Sequence, residues 1–574
     1  MKSRFIFRVR LLFAFCVVFA LVLGVRLYLI QIVDSEKYRE AAEHQYVVGA
    51  PKNDERGDIL FTDKDKRLVT AATQQTGWRL AIQPSEIAKD KDIDADSLYA
   101  SLSSVVSIDE ERYYKSVAKT DDPYEDIAFR LSDDDADAIR ALDLDGIVIA
   151  REKWRFYPAS ERAAHVLGFV GFQGDQRVGR YGLERYWEDT LAQDGNSLYI
   201  NFFAEVFSNV RALVSSDSSS VSGDLITSIE PTVQSNLEKE LDALSKDWSP
   251  KSIGGIVMDP NTGEIIALAS WPTFNPNTFN TVSDASVFVN PMVESVYEMG
   301  SIIKPLTMAA GLDAGAVTPT THYQDDGFIM RSGERISNYD GRARGYVSMQ
   351  EVLNQSLNTG AAFVAEKMGS ESFVRYMKSF ELGMETGIDL PNEVKGIMTG
   401  LESGADVDIA SASFGQGIAM SPIETVRALA SLANGGQLVQ PHIVKEVRLS
   451  PGVTKKLWDE PEKRVLSKEA TEDVTRMLVT VVDEALKGGT VKLDRYSIAA
   501  KTGTAQIASP YGGYYDDRYL HSFFGYFPAH DAKFIVFLFI VEPQGVRYAS
   551  ETLTDPFMEI TQFLINYYNI PPDR

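Results

Sequence analysis

The chain has 574 residues, more than one ordinary domain of about 100 to 200 residues holds, so several folded units are expected. With 44% hydrophobic and 24% charged residues it can bury a large core, which excludes general disorder. Its 81 acidic residues outnumber 57 basic ones, for a net charge of -24, which argues against nucleic acid as a partner, and one cysteine, Cys16, excludes a disulfide scaffold.

At the N-terminus, Lys2, Arg4, Arg8 and Arg10 precede an almost wholly apolar run from Leu11 to Val33, broken only by Arg26 near its far end. This pattern predicts a transmembrane anchor over residues 11–33, with residues 1–10 in the cytoplasm, the remainder outside, and Arg26 snorkelling to the outer interface. A cleaved signal peptide is the alternative, but no small-x-small cleavage pattern follows the span. Ser35 to Val48 reads as a helical stalk, and Arg56-Gly57-Asp58-Ile59-Leu60 starts a strand and turn pattern in a mixed α and β pedestal over residues 34–214. Acidic runs such as Asp133-Asp134-Asp135 read as a solvated face.

Residues 215–224 are Ser-rich and predict a linker that cannot bury enough apolar area to order itself. Beyond it, over residues 225–570, Ile226 to Ile229 alternates like a strand and Pro231 to Leu244 has amphipathic helical spacing. Gly255 to Asp259 and Glu264 to Leu268 flank the turn Pro260-Asn261-Thr262-Gly263 and predict a hairpin. Phe534 to Val541 reads as a buried strand, and a last helix is expected with Asp555 as its N-cap and Pro556 at its first position, with Phe557, Ile560, Leu564 and Tyr567 on one face. The expected architecture is α+β, with one sheet collecting strands from both ends of this domain and helices on its faces.

Three short patterns carry chemistry: Ser301-Ile302-Ile303-Lys304, Ser356-Leu357-Asn358 and Lys501-Thr502-Gly503-Thr504. In this order they are the S-x-x-K, S-x-N and K-T-G triplet of serine acyltransferases. Gly300 before Ser301 and Pro305 after Lys304 predict that Ser301 sits at a helix start with Lys304 one turn on. Lys304 can then take the Ser301 proton if burial and neighbouring positive charge keep its amine neutral. Ser356 is the candidate proton relay to the leaving amine, and Asn358 the holder of a substrate carbonyl. Tyr496 to Ala500 reads as a strand leading into Lys501, which puts the Thr502 and Thr504 hydroxyls on one side, suited to a substrate carboxylate. Gly503 is expected to leave room for a peptide along the strand edge, and the amides of Ser301 and Thr504 are candidate oxyanion donors. A second S-x-x-K match, Ser116-Val117-Ala118-Lys119, lies in a charged stretch and reads as structural. The 6 histidines show no ligand spacing, so neither a metal nor another cofactor is expected.

With these motifs in place the sequence resembles the class B, monofunctional penicillin-binding proteins, the family of FtsI and penicillin-binding protein 2. The likeness extends to Arg56-Gly57-Asp58-Ile59, His165-Val166-Leu167-Gly168, Gly182-Leu183-Glu184, Asp259 to Glu264, Phe414-Gly415-Gln416-Gly417, Ala433-Asn434-Gly435-Gly436 and Thr504-Ala505-Gln506. It implies a pedestal carrying a serine β-lactamase-like transpeptidase domain on the outer face of the cytoplasmic membrane. The serine would attack D-alanyl-D-alanine stem peptides of peptidoglycan and be acylated by β-lactams. A glycosyltransferase, of the SEDS family, and other divisome or elongasome proteins are the implied partners. Met299, Ala500 and Glu230 stand where the family usually has proline, glycine and aspartate, and none of these removes a catalytic group.

The same triplet serves D,D-carboxypeptidases and β-lactamases, in which water takes the acyl group, but a secreted hydrolase needs neither pedestal nor anchor. A non-catalytic β-lactam sensor or scaffold is the third reading, and it calls for a signalling domain where only the short segment before the anchor is available. Chain length and the lack of an appended repeat domain lean towards division over side-wall elongation.

Overall fold

The structure, a computed structural model, describes residues 54–90, 92–173, 176–194, 223–449, 453–458 and 463–574. The predicted tail, anchor, stalk and residues 215–222 of the predicted linker lie outside the described residues. Among the described residues no helix is long and apolar enough to cross a membrane.

The pedestal is built on strands β1 (Ile59–Thr62), β2 (Leu68–Ile82), β3 (Glu125–Leu131) and β4 (Ile147–Phe156), all paired antiparallel around the long β2. Leu80 and Ile82 of β2 meet Leu98, Leu102, Tyr113 and Ile139 from three short helices in a separate core. The acidic run heads one of those helices: Ser132 and Asp135 form a capping box there, so its charge sits at the positive end of the helix dipole as well as in water.

The motif glycines and charges of the pedestal are structural. The buried Glu184 carboxylate receives Arg155 at 2.6 Å and Arg56 at 2.5 Å, and Arg56 also reaches Glu188 at 2.7 Å. Burial opposes ionisation of Glu184, but the two guanidiniums outweigh it and hold its carboxyl below the usual range. A Cβ on Gly182 would sit 2.5 Å from the Val166 carbonyl oxygen, so this crossing of two chain segments admits only glycine. His165 bridges the Val287 carbonyl and the Ser270 hydroxyl, and burial lowers its pKa to about 4, so it acts as a neutral pin.

Strand β5 (Gly223–Thr227) opens inside the stretch expected to be linker. Its residues Gly223 and Asp224 are ordered because the backbone finds partners on both sides: β5 runs parallel to β1, pairing Ile59 with Leu225, and antiparallel to a later strand of residues 444–449. Asp224 also accepts the Asp58 amide at 2.9 Å. One seven-stranded sheet therefore crosses from the pedestal into the transpeptidase-motif half of the chain.

Helix α1 (Pro231–Trp248) comes next, capped by Glu230, whose carboxylate accepts the Val233 amide at 2.6 Å, so the longer side chain still performs an acidic cap. The expected hairpin is β6 (Ser252–Met258) with β7 (Ile265–Trp271). From the C-terminal end come β8 (Val444–Leu449), β9 (Ala499–Ala508), β10 (Tyr514–Phe527) and β11 (Phe534–Val541). The second sheet is antiparallel in the order β7-β6-β11-β10-β9, so strands from both ends do meet and β9 is its outer edge. Every residue of β11 is buried.

One face of this sheet packs against Val233, Leu237 and Leu241 of α1 and against Phe557, Ile560 and Leu564 of the last helix. The other face meets Ile302, Ile303 and Leu306 together with Val474, Met477 and Leu478. The last helix spans Thr554–Tyr567 and takes in Asp555 as a first-turn residue rather than as its cap. The strand expected over Tyr496 to Ala500 begins only at Ala499, because Ser497 bonds through both its amide and its hydroxyl to Asp573 of the C-terminal tail.

Candidate active site

Ser301 lies in a short 3-10 turn, Gly300–Ile303, that feeds helix α2 (Lys304–Asp313), with Pro305 in its first turn where a missing amide costs nothing. Gly300 has φ +65, which glycine adopts freely, and its amide donates to the Gly415 carbonyl at 3.0 Å. The turn leaves Ser301 half-buried and Lys304 only 1% exposed. The Lys304 amine stands 2.9 Å from Ser301 Oγ, 3.1 Å from Ser356 Oγ and 2.6 Å from the Ser356 carbonyl oxygen.

Ser356 joins two helices, Met349–Asn354 and α3 (Asn358–Met368), at φ +54, a backbone conformation that turns both its carbonyl and its hydroxyl towards Lys304. Asn358 heads α3 and donates one amide hydrogen to the Ser337 carbonyl at 2.9 Å, leaving its second hydrogen for another acceptor. Lys501, 3% exposed on β9, brings a second cation to the same place. Burial, and then the Lys501 charge, push the Lys304 amine well below the ordinary lysine range, and burial pulls Lys501 down to about 8. Burial and the neighbouring cation thus both favour the neutral form of Lys304 beside a serine hydroxyl, the form a general base requires.

Along β9 burial alternates as the register demands: Lys501 and Gly503 are buried, Thr502 and Thr504 half-buried. The sequence motifs thus converge, with Ser301, Lys304 and Ser356 in direct contact. Gly503 needs to be glycine for a different reason from the one expected. An added Cβ would lie 2.7 Å from the Met299 carbonyl oxygen and overlap the Ser522 hydroxyl, so its absence lets β9 close onto the backbone just before Ser301 rather than making room for a peptide. The Ser116 match sits elsewhere, on the pedestal helix Glu110–Val117, where Ser116 Oγ donates to Glu125 at 3.1 Å and Lys119 pairs with the same carboxylate.

Sequence reasoning gave no role to the residues that hold this arrangement. Gly415 backs the Gly300 turn, and Ser522 donates to the Met299 carbonyl at 2.8 Å. The Ala549 amide donates to Thr504 Oγ1 at 3.0 Å. Gly415 lies in a recognised segment, Phe414-Gly415-Gln416-Gly417, but Ser522 meets the motif through strand register and Ala549 through a returning segment, and neither carries a spacing signal.

The site geometry can be set beside known proteins. Residues 253–561 match the penicillin binding protein transpeptidase domain, and residues 51–200 match the penicillin-binding protein dimerisation domain. The chain belongs to the class B penicillin-binding proteins. This penicillin-binding protein is 31% identical over 562 residues to stage V sporulation protein D of Bacillus subtilis, covering 96% of this chain and 84% of that one. It is 27% identical over 453 residues to the peptidoglycan D,D-transpeptidase FtsI of Escherichia coli K12, covering 78% of this chain and 73% of the other. Its fold matches penicillin-binding protein 2X of Streptococcus thermophilus with a TM-score of 0.71, at 19% identity, over 90% of this chain and 80% of that one.

Proposed function

We propose that this penicillin-binding protein cross-links peptidoglycan as a D,D-transpeptidase, with Ser301 as nucleophile and Lys304 as its base. The observation that carries the reading is the buried Lys304 amine, depressed in pKa and within hydrogen-bond reach of both serines. Ser301 Oγ attacks the penultimate D-alanine carbonyl as its proton passes to Lys304. The backbone amides of Ser301 and Thr504 hold the oxyanion, where one such donor is worth roughly 100- to 1000-fold in rate. Collapse expels the terminal D-alanine, whose nitrogen takes the proton through Ser356. An amine of a second stem then attacks the ester, gives up its proton to the base, and restores Ser301.

Asn358 holds a stem carbonyl, Lys501 supplies positive charge, and the Thr502 and Thr504 hydroxyls bind the terminal carboxylate. Gly503 keeps their strand close to Ser301. The edge position of β9 supports a stem peptide lying along it as an added strand. The enzyme is held by a single membrane span at residues 11–33, with the pedestal at 34–214, a connecting stretch ending before strand β5 at Gly223 and the transpeptidase domain from there to residue 570 outside the cytoplasmic membrane. The basic flank and apolar run support this topology. The reading includes work in cell division with a SEDS-family glycosyltransferase as partner, as the family resemblance implies.

A fluorescent penicillin is expected to label the protein covalently, and Ser301→Ala to abolish labelling. Labelling that persists in that variant, or moves to Ser116, sinks the assignment. With a stem-peptide donor and an amine acceptor, hydrolysed product alone would favour a carboxypeptidase.

A further inference from the structure

His521 is fully buried on β10, directly opposite Thr504 of β9. Opposed residues of an antiparallel pair carry their side chains on the same face, so the imidazole lies beside the threonine hydroxyl. Its Nε2 is 3.0 Å from the Arg547 carbonyl oxygen and its Nδ1 is 2.9 Å from Thr552 Oγ1. A carbonyl only accepts, so Nε2 carries the hydrogen. Burial lowers the ring's pKa to about 4, which favours its neutral form, so Nδ1 is bare and accepts the Thr552 hydroxyl at 2.9 Å in preference to the Ala549 carbonyl oxygen, 3.3 Å from the same hydroxyl.

These two bonds fasten both ends of the short segment 547–552 onto the sheet. Within that segment the buried Ala549 amide donates to Thr504 Oγ1 at 3.0 Å. A hydroxyl has one proton to give, and an amide on its acceptor side leaves that proton free to turn outward. The Thr502 hydroxyl on the same strand has no hydrogen-bond partner among the described residues, so Thr504 is the threonine whose proton is oriented by the protein. No hydrogen bond among the described residues joins His521 to Ser301, Lys304 or Ser356.

We infer that His521 is a positioning residue for the substrate carboxylate: by clamping the segment 547–552 it holds the Ala549 amide on Thr504, so that the Thr504 hydroxyl presents its proton to the carboxylate of the stem peptide or of a β-lactam. The inference rests on the proposed role of Thr504, and its effect belongs to binding rather than to the chemical step.

The test is acylation of the full-length protein in detergent by a fluorescent penicillin, with the dissociation constant and the limiting acylation rate measured separately. His521→Leu is expected to raise the dissociation constant roughly tenfold and to change the limiting rate less than threefold, as for loss of a buried hydrogen-bond pair. Thr552→Val, a nearly isosteric change that spares the ring, is expected to raise it about threefold and keeps the test usable if the leucine variant does not fold. In a Thr504→Val background neither substitution has any further effect, because both act through that hydroxyl. Equal losses in the two backgrounds, or a loss confined to the limiting rate, overturn the inference. Unchanged binding in Thr504→Val alone removes the carboxylate role of Thr504 and this inference with it. Weakened binding in Thr504→Val, with none in His521→Leu or Thr552→Val, removes this inference only.

Discussion

Gly415→Ala tests whether the reactivity of Ser301 depends on the turn that presents it. Gly415 has φ +81, so an alanine there carries about 1–2 kcal/mol of backbone strain before any contact is considered. Its Cβ would also overlap the Gly300 carbonyl oxygen and lie 2.8 Å from the Gly300 carbonyl carbon and 2.9 Å from its nitrogen. Carbon atoms rest at about 3.5–4.0 Å, so the two segments must part by about 1 Å. The displaced atoms belong to the residue before the nucleophile, and the hydrogen bond from the Gly300 amide to the Gly415 carbonyl is the first to stretch. A misplacement of about 1 Å costs on the order of 100-fold in rate, which is the loss expected in acylation by penicillin under single-turnover conditions. Stability is expected to fall by about 1–3 kcal/mol, read by denaturant unfolding of the same preparation. A variant that acylates within about threefold of the parent would refute the idea that this glycine pair sets the nucleophile's position.

Two further predictions concern protons. Lys304 must be neutral to accept the Ser301 proton, so acylation rises with pH through its pKa. Burial is the main cause of its depression and the Lys501 charge the next. In Lys501→Gln that charge is gone, the Lys304 pKa rises, and the ascending limb of the acylation profile is expected to move up by about one pH unit whatever happens to its plateau. A limb that stays or moves down contradicts the assigned coupling. Away from the site, burial raises the Glu424 carboxyl from 4.5 to about 7 despite its bond from the Gly383 amide. The folded state therefore keeps a proton that the unfolded chain releases, so stability is expected to fall as pH rises from about 4.5 to about 7, by up to about 3 kcal/mol. Glu424→Gln, neutral throughout, should flatten that slope in denaturant melts, and an unchanged slope would assign it to other groups.

The S-x-x-K, S-x-N and K-T-G triplet was legible because each motif spans only three or four consecutive residues, where local geometry alone brings Ser301 to Lys304. The hairpin at 252–271 and strand β11 were legible for a similar reason, with the Pro260 to Gly263 turn and the β-branched run marking them. What the sequence hid was long-range. Nothing local announces that Gly223 and Asp224, after a Ser-rich stretch, will find strands on both sides, or that Ser497 will leave a strand for the Asp573 carboxylate. His521 and Ala549 reach Thr504 only through register and a returning loop. Gly503 shows the same limit from within a motif: its identity was expected, but the backbone it makes way for is that of Met299, far away in the chain.

The strand Gly223–Thr227 ties Ile59–Thr62 of the pedestal to Val444–Leu449 of the transpeptidase domain in one sheet. In this chain the two halves therefore share a seam that neither could complete alone. A grafted pedestal would have to bring a first strand whose register fits this seam, and a glycine at position 57, where a Cβ would overlap the Gly223 carbonyl oxygen. Gene fusions that respect domain borders alone would leave that edge bare and open to another chain's backbone.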